Sequence, residues 1–374
     1  MSVQIVEAVS KSQLKVFVKF VFDLYRGDKN WIPPIIADEL KMTDPAKNPA
    51  FDFCEAAFWL AYKDGKVAGR ISAIINHEYN QLKGIRYGRI ARAEFYDDAG
   101  VADALFDVAE RWLKEKGMTH VHGPLGFTNL DLQGLLIEGF DHLPSIASVY
   151  HKPYYQQHFD RLGYVKENDW VEFRLAMASE IPEKARRLAD MIKERYKLKV
   201  HHFSSTKELT PYGPEVFRLL NRAFSDLPYV APFNEKLIHY YSEKYFKIIN
   251  PEFVKIVTDD SGKMAGFIIG VPSLSEAMQK AGGRLFPFGF IHMLRAMKNP
   301  VVMDLVLTGV EPHLQGQGVP AVLINELQKV IMEHKIKYVE TTGIFETNHK
   351  AIVTWKNYEH IQHKRRRCYV KELT

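Results

Sequence analysis

The chain has 374 residues, of which 46% are hydrophobic, 12% aromatic and 25% charged; this composition excludes a disordered or collagen-like chain. At about 150 residues per domain, the length suggests two domains, each able to bury its own core. Fifty Lys and Arg against 45 Asp and Glu leave a charge of +5, compatible with anionic substrates and too slight to announce nucleic-acid binding. Cys54 and Cys368 are the two cysteines; they cannot build a zinc site and suit a reducing cytoplasm. The N-terminal stretch is charged throughout, unlike a signal peptide, and no apolar run approaches the ~20 residues that span a bilayer. The expectation is a soluble cytoplasmic protein without membrane or nucleic-acid partners.

In chain order, Phe58–Tyr62 and Val67–Ile71 read as strands flanking Lys63-Asp64-Gly65-Lys66, a hairpin signal. A strand from Arg86 to Tyr96 follows, then a helix from Val101 to Lys116. Its apolar positions Val101, Leu105, Val108, Ala109, Trp112 and Leu113 share one face, and Gly117 stops it. A strand (Thr119–His122), a short helix (Pro153–Leu162) and a strand (Trp170–Leu175) complete the set. Pro182–Lys197 reads as a connecting helix. The pattern then recurs: a hairpin around Asp260-Ser261-Gly262-Lys263, a strand from Val301 to Val310, and a helix from Val319 to His334. A strand (Lys337–Ile344), a helix (Asn348–Tyr358) and a strand (Arg366–Val370) end it. An extra stretch, Pro272 to Pro300, interrupts the second copy. The duplication predicts an α/β fold with a mixed sheet, in tandem domains 1-178 and 200-374 joined by a helix within 179-199.

The second copy passes from strand to helix through Glu311-Pro312-His313-Leu314-Gln315-Gly316-Gln317-Gly318-Val319-Pro320. Two close glycines let backbone N–H groups converge, and the helix N-terminus adds partial positive charge, which suits a diphosphate. The corresponding turn of the first copy, Tyr96-Asp97-Asp98-Ala99-Gly100, carries two carboxylates that would repel such a group.

On these residues the chain resembles the GCN5-related N-acetyltransferase superfamily, duplicated within one chain. Gln315-Gly316-Gln317-Gly318 matches that superfamily's Gln/Arg-x-x-Gly-x-Gly/Ala signature at its first two fixed positions, with Pro320 at the last. Proline at the first helical turn loses no helical hydrogen bond, but it removes one N–H. Asn348 matches the family's Asn on the last helix, and Trp355 stands where the family has Tyr. Arg161-Leu162-Gly163-Tyr164 resembles the usual end of that helix, which in the second copy reads Asn357-Tyr358-Glu359-His360. The stretches Gly123–Phe127 and Gly134–Asp141 are similar to a group of bacterial two-domain acetyltransferase-like proteins.

The resemblance implies two acyl-CoA N-acyltransferase domains and acyl transfer, typically of acetyl, to a small-molecule or peptide amine. Acetyl-CoA or another acyl-CoA would lie in the C-terminal copy, against Thr308, Val310, Gln315, Gly316, Gln317, Gly318 and Val319. Backbone N–H groups at a bulge in Leu307–Val310 would polarise the thioester carbonyl. Amine attack also needs a proton acceptor, for which Asp304, Glu340 and Glu346 are the carboxylates at hand. Tyr358 stands in for the missing tyrosine as proton donor; Asn348 is alternatively a plain helix cap. Two other functions fit the same features: an acyl-CoA-binding scaffold without catalysis, and aminoacyl transfer from tRNA.

Among the remaining motifs, His120 and His122 share a strand face without accompanying metal-ligand spacing. The basic run His363–Arg367 reads as a solvated edge that could meet the 3′-phosphate of coenzyme A. The aromatic segment Arg284–Leu294 reads as core, or as a pocket wall or lid.

Overall fold

The computed structural model describes residues 2–246, 249–355 and 358–374, and divides the chain into two units. The expected domains were contiguous; the units are not. The first comprises Met1–Val171, Ser275–His292 and His363–Thr374, and the second Glu172–Leu274 and Met293–Gln362.

The first unit begins with β1 (Gln4–Glu7), α1 (Lys11–Leu24) and α2 (Ile36–Met42). The hairpin of β2 (Cys54–Lys63) and β3 (Lys66–Asn76) then turns through Asp64 and Gly65, both at positive φ as a two-residue turn requires. Next come α3 (His77–Lys83), β4 (Tyr87–Phe95), α4 (Ala99–Glu115), β5 (His120–Gly123), β6 (Leu135–Glu138), α5 (Tyr155–Arg161) and β7 (Val165–Ala176). β1 to β4 are antiparallel neighbours and β4 pairs parallel with β5. The apolar stripe of α4 predicted from spacing is the buried one: Val101, Leu105, Ala109 and Leu113 lie in the core with Trp59, Ile71 and Phe95. Each large side chain removed from water there contributes about 2 kcal/mol. Gly88 allows the close approach of the helix, since a Cβ there would stand 2.3 Å from Leu113 Cδ2.

The second unit holds α6 (Glu183–Arg195), β8 (Lys199–His201), α7 (Thr206–Leu209), α8 (Gly213–Ala223), α9 (Glu235–Phe246), β9 (Val254–Thr258) and β10 (Met264–Pro272). The extra stretch forms α10 (Ser275–Ala281), within the first unit, and α11 (Gly289–Lys298). Then come β11 (Val302–Val310), α12 (Val319–Glu333), β12 (Tyr338–Thr341), β13 (Ile344–Phe345), α13 (His349–Trp355) and β14 (His360–Glu372). The predicted strand Lys337–Ile344 is thus two pieces, and positions 356–357 of the expected last helix lie outside the described residues. Within this unit the strand order is β8-β9-β10-β11-β12-β7, with Arg174–Ala176 of β7 antiparallel to Glu340–Tyr338.

The closing strands do not finish the copies that encode them. Tyr369–Glu372 of β14 pair with Gly123–His120 of β5 in the first unit, while the second half of β7 closes the second. An alternation pattern specifies a strand but not its neighbour, so contiguous boundaries were the natural expectation.

His151 of the first unit is buried, accepts a hydrogen bond at Nδ1 from Leu136 N at 3.2 Å, and has its pKa lowered to about 4 by burial. The unfolded chain takes up a proton near pH 6.5, which the folded chain resists. Stability is therefore full above pH 6.5 and falls as pH drops toward 4, by about 3 kcal/mol from this group. Urea melts at pH 7 and pH 4.5 should show that loss, and His151→Asn should shrink it; an equal acid loss in the variant would refute the assignment.

Candidate active site

β11 pairs with β10 from Met303 to Val310, but with β12 only from Val302 to Leu305. There β12 turns away, and Thr342 donates its N–H to Leu305 O. Among the described residues, Val306–Val310 thus have a strand on one side only, and Val306, Leu307 and Thr308 are half-buried. The β10 register steps from Leu305 to Leu307, leaving Val306 as a bulge. This corrects the expected bulge at Leu307–Val310: the backbone departs from the ladder one residue earlier.

Glu311, directly after β11, is buried, and Arg222 of α8 donates to its Oε1 from Nε at 3.0 Å and from Nη2 at 2.7 Å. That clamp fixes where the glycine loop begins. Gly316 and Gly318 take φ of +80° and +85°, values that cost another residue roughly 1–2 kcal/mol. A Cβ at Gly318 would also meet Ile192 Cδ1 at 2.5 Å. The N–H groups of Gln315 and Gln317 are bonded within the loop to Pro312 O and Leu314 O. Those of Gly316, Gly318 and Val319 have no acceptor among the described residues, and α12 starts without a side-chain cap. Three donors at the positive end of a 15-residue helix suit a diphosphate. The glutamine side chains brace the loop instead: Gln315 Nε2 donates to Val310 O at 3.2 Å, and Tyr196 Oη donates to Gln317 Oε1 at 2.6 Å.

In the first copy both places are filled. Asp98 is the N-cap of α4; it accepts from Val101 N at 3.1 Å, and its bond from Lys63 holds its carboxyl below the usual range. Asp97 meets His158 Nε2 at 2.9 Å. Along β4, Ile90 O is taken by Leu125 N at 2.8 Å. At Phe95, the N–H donates to Tyr155 Oη at 2.9 Å and the carbonyl accepts from the Tyr154 hydroxyl.

The proposed catalytic residues fall on two faces of the second sheet. Asp304 and Glu340 are cross-strand neighbours, both buried, and Arg174 Nε donates to Glu340 Oε1 at 2.5 Å. Met303, Leu305 and Val339 point the other way, toward a small apolar pocket that Gln328, Trp355 and Tyr358 also line. Tyr358 Oη lies 3.4 Å from Gln328 Oε1, and burial raises its pKa. Asn348 Oδ1 accepts from Ala351 N at 3.2 Å, so it caps α13. Glu346 follows β13 and is half-buried.

Other expectations change. In the basic run, Arg365 and Arg367 clasp Asp169 at 2.8–3.1 Å, Lys364 Nζ donates to Gly139 O at 2.8 Å, and Arg366 Nη1 donates to Gln133 O at 2.6 Å. It is not a solvated edge: β14 draws these cations into the first unit. His120 stacks on Tyr87 at 4.6 Å and the buried His122 lies 3.4 Å from Glu167. Sequence reading missed Arg222, Tyr154 and Tyr155; the adjacent Tyr154-Tyr155 pair was visible, but nothing local tied it to β4.

A model of the acetyltransferase (GNAT) family matches residues 20–130. A solved tandem GNAT protein from the clavulanic acid biosynthesis pathway has a similar fold, with a TM-score of 0.57 at 13% identity, over 100% of this chain and 99% of that one. Protein YghO of Escherichia coli strain K12 is 30% identical over 98% of this chain and 94% of its own length. The chain belongs to the GNAT family. A second full-length relative, 27% identical over 99% of this chain and 97% of its own, is named a bacterial ceramide synthase of Caulobacter vibrioides.

Within this GNAT chain, the Arg174–Glu340 pair lies at the inner edge of the parted strands. Arg174→Met removes the guanidinium from a buried carboxylate and should lower stability by about 3 kcal/mol. A lower urea midpoint checks this, and an unchanged one would refute it.

Proposed function

We propose that this chain transfers an acyl group from a coenzyme A thioester to the amine of an apolar acceptor, with the coenzyme held by the C-terminal copy. The carrying observation is the contrast between the helix starts: Asp98 caps α4, whereas α12 presents the N–H groups of Gly316, Gly318 and Val319 without an acceptor among the described residues. Those three groups would hold the diphosphate, and the one-sided stretch Val306–Val310, including Thr308, would hold the pantetheine arm. Pro320 offers no N–H, and Ala321 N is bonded to Gly318 O, so the cradle ends at Val319.

The coenzyme supplies an acyl group already activated as a thioester. What remains for the protein is to orient the amine, polarise the carbonyl and move protons. The Val306 bulge would turn backbone N–H toward the carbonyl oxygen. Tyr358, whose hydroxyl burial keeps protonated, would be the donor to a leaving thiolate from its place on the pocket that reaches Leu305. Glu340 is bound by Arg174 and Asp304 is buried; Glu346, half-buried after β13, would take the amine proton.

The pocket that reaches Leu305, the last residue paired with β12, is lined mainly by apolar side chains. A ceramide is a fatty amide of a long-chain amino alcohol, so the named relative supports a fatty acyl group and a lipid amine here as well.

Calorimetric titration with an acyl-CoA should give one site per chain. Gly316→Asp, a residue tolerant of positive φ, should weaken binding about a hundredfold by adding charge at the cradle. Two sites, or undiminished binding in that variant, would overturn the assignment. Thiol release with long-chain amines should fall at least about tenfold in kcat for Tyr358→Phe, with KM little changed; full activity would remove the tyrosine from the chemistry.

A further inference from the structure

The extra stretch of the second copy is firmly rooted at its start. Ser275 Oγ donates to Pro144 O at 2.8 Å, and Gln279 Nε2 donates to Lys29 O at 2.8 Å and to Trp31 O at 3.0 Å. Gly283 O accepts from Ile36 N at 3.0 Å, and the Phe22 ring fills the space where a Gly283 side chain would be. Beyond this root the apolar side chains face outward. Phe286 is 77% exposed, Phe288 70%, Phe290 38% and Leu294 59%. The rings of Phe286 and Phe290 lie 5.7 Å apart, and Phe290 and Leu294 share a face of α11 one turn apart. This corrects the expectation that the segment is core. Large apolar side chains grouped on a surface mark an interaction site.

Charge indicates what covers it. Residues 282–300 contain Arg284, Arg295 and Lys298 and no Asp or Glu. A second copy docked symmetrically would set those cations against their own equivalents, which disfavours self-association. An anionic surface would meet them with the opposite sign.

We propose that Arg284–Lys298 docks on an anionic lipid bilayer, with Phe286, Phe288, Phe290 and Leu294 entering the acyl boundary and Arg284, Arg295 and Lys298 meeting lipid phosphates. No helix among the described residues is long and apolar enough to cross a membrane, and interfacial docking needs none. The expectation of no membrane partner rested on the lack of a spanning segment alone. The surface is argued from this segment by itself; its use, delivery of a lipid amine from the bilayer, rests on the transferase reading.

The test is co-sedimentation of the full chain with vesicles of phosphatidylglycerol and phosphatidylethanolamine, against vesicles of phosphatidylcholine, without coenzyme or turnover. Binding should favour the anionic vesicles and weaken as salt rises. The triple variant Phe286→Ser, Phe288→Ser, Phe290→Ser should bind at least about tenfold more weakly with an unchanged circular dichroism spectrum. Arg295→Glu with Lys298→Glu should erase the preference for anionic lipid. No sedimentation of the intact chain, or equal binding by the triple variant, would overturn the proposal. So would a dimer that the triple variant dissociates without change in vesicle binding, which would mark a self-association face. Because the coenzyme titration is independent, either proposal can fail alone.

Discussion

The first N–H groups of an α-helix have no carbonyl one turn back, and something must accept from them. In this protein the two copies of one fold meet that constraint differently. α4 satisfies it with Asp98, an acid built into the chain and neutralised by Lys63. α12 opens on a glycine at positive φ with no side-chain acceptor. The loop before it is held by its own turn bonds, by the Arg222–Glu311 clamp and by Tyr196 on Gln317. Its geometry is therefore set in advance of any ligand, which limits the entropy lost on binding.

The sheets repeat the contrast. A strand that parts from its neighbour exposes N–H and C=O groups that also need partners. In the first copy Leu125, Tyr154 and Tyr155 supply them to β4. In the second copy β12 leaves β11 at Leu305 and no described strand replaces it. Loop and edge are closed together in one copy and open together in the other. That concordance is stronger than either feature, because a loop could lose its glycines by drift while the edge stayed open.

Much of this was legible beforehand. The apolar spacing of α4 and α12, the Asp64-Gly65 turn and the Gln315–Gly318 loop are local patterns, and local geometry follows from them. The bulge at Val306 was displaced by one residue because register depends on what β10 presents, which β11 alone does not encode. The run His363–Arg367 misled for a related reason: five basic residues suggest solvent, yet Asp169 takes Arg365 and Arg367 while backbone carbonyls of Gly139 and Gln133 take Lys364 and Arg366. Phe286, Phe288 and Phe290 misled in the opposite sense. Composition cannot distinguish an aromatic row that packs from one that stands clear, since the anchoring contacts of Gln279 and Gly283 come from residues about 250 positions away.

The exchange of closing strands has a bearing on synthesis. Segment His363–Thr374 belongs to the first unit, where Tyr369–Glu372 flank β5. A ribosome must therefore pass the whole of the second copy before that unit can complete its sheet, and until then β5 lacks its final neighbour. The half encoded first is completed last.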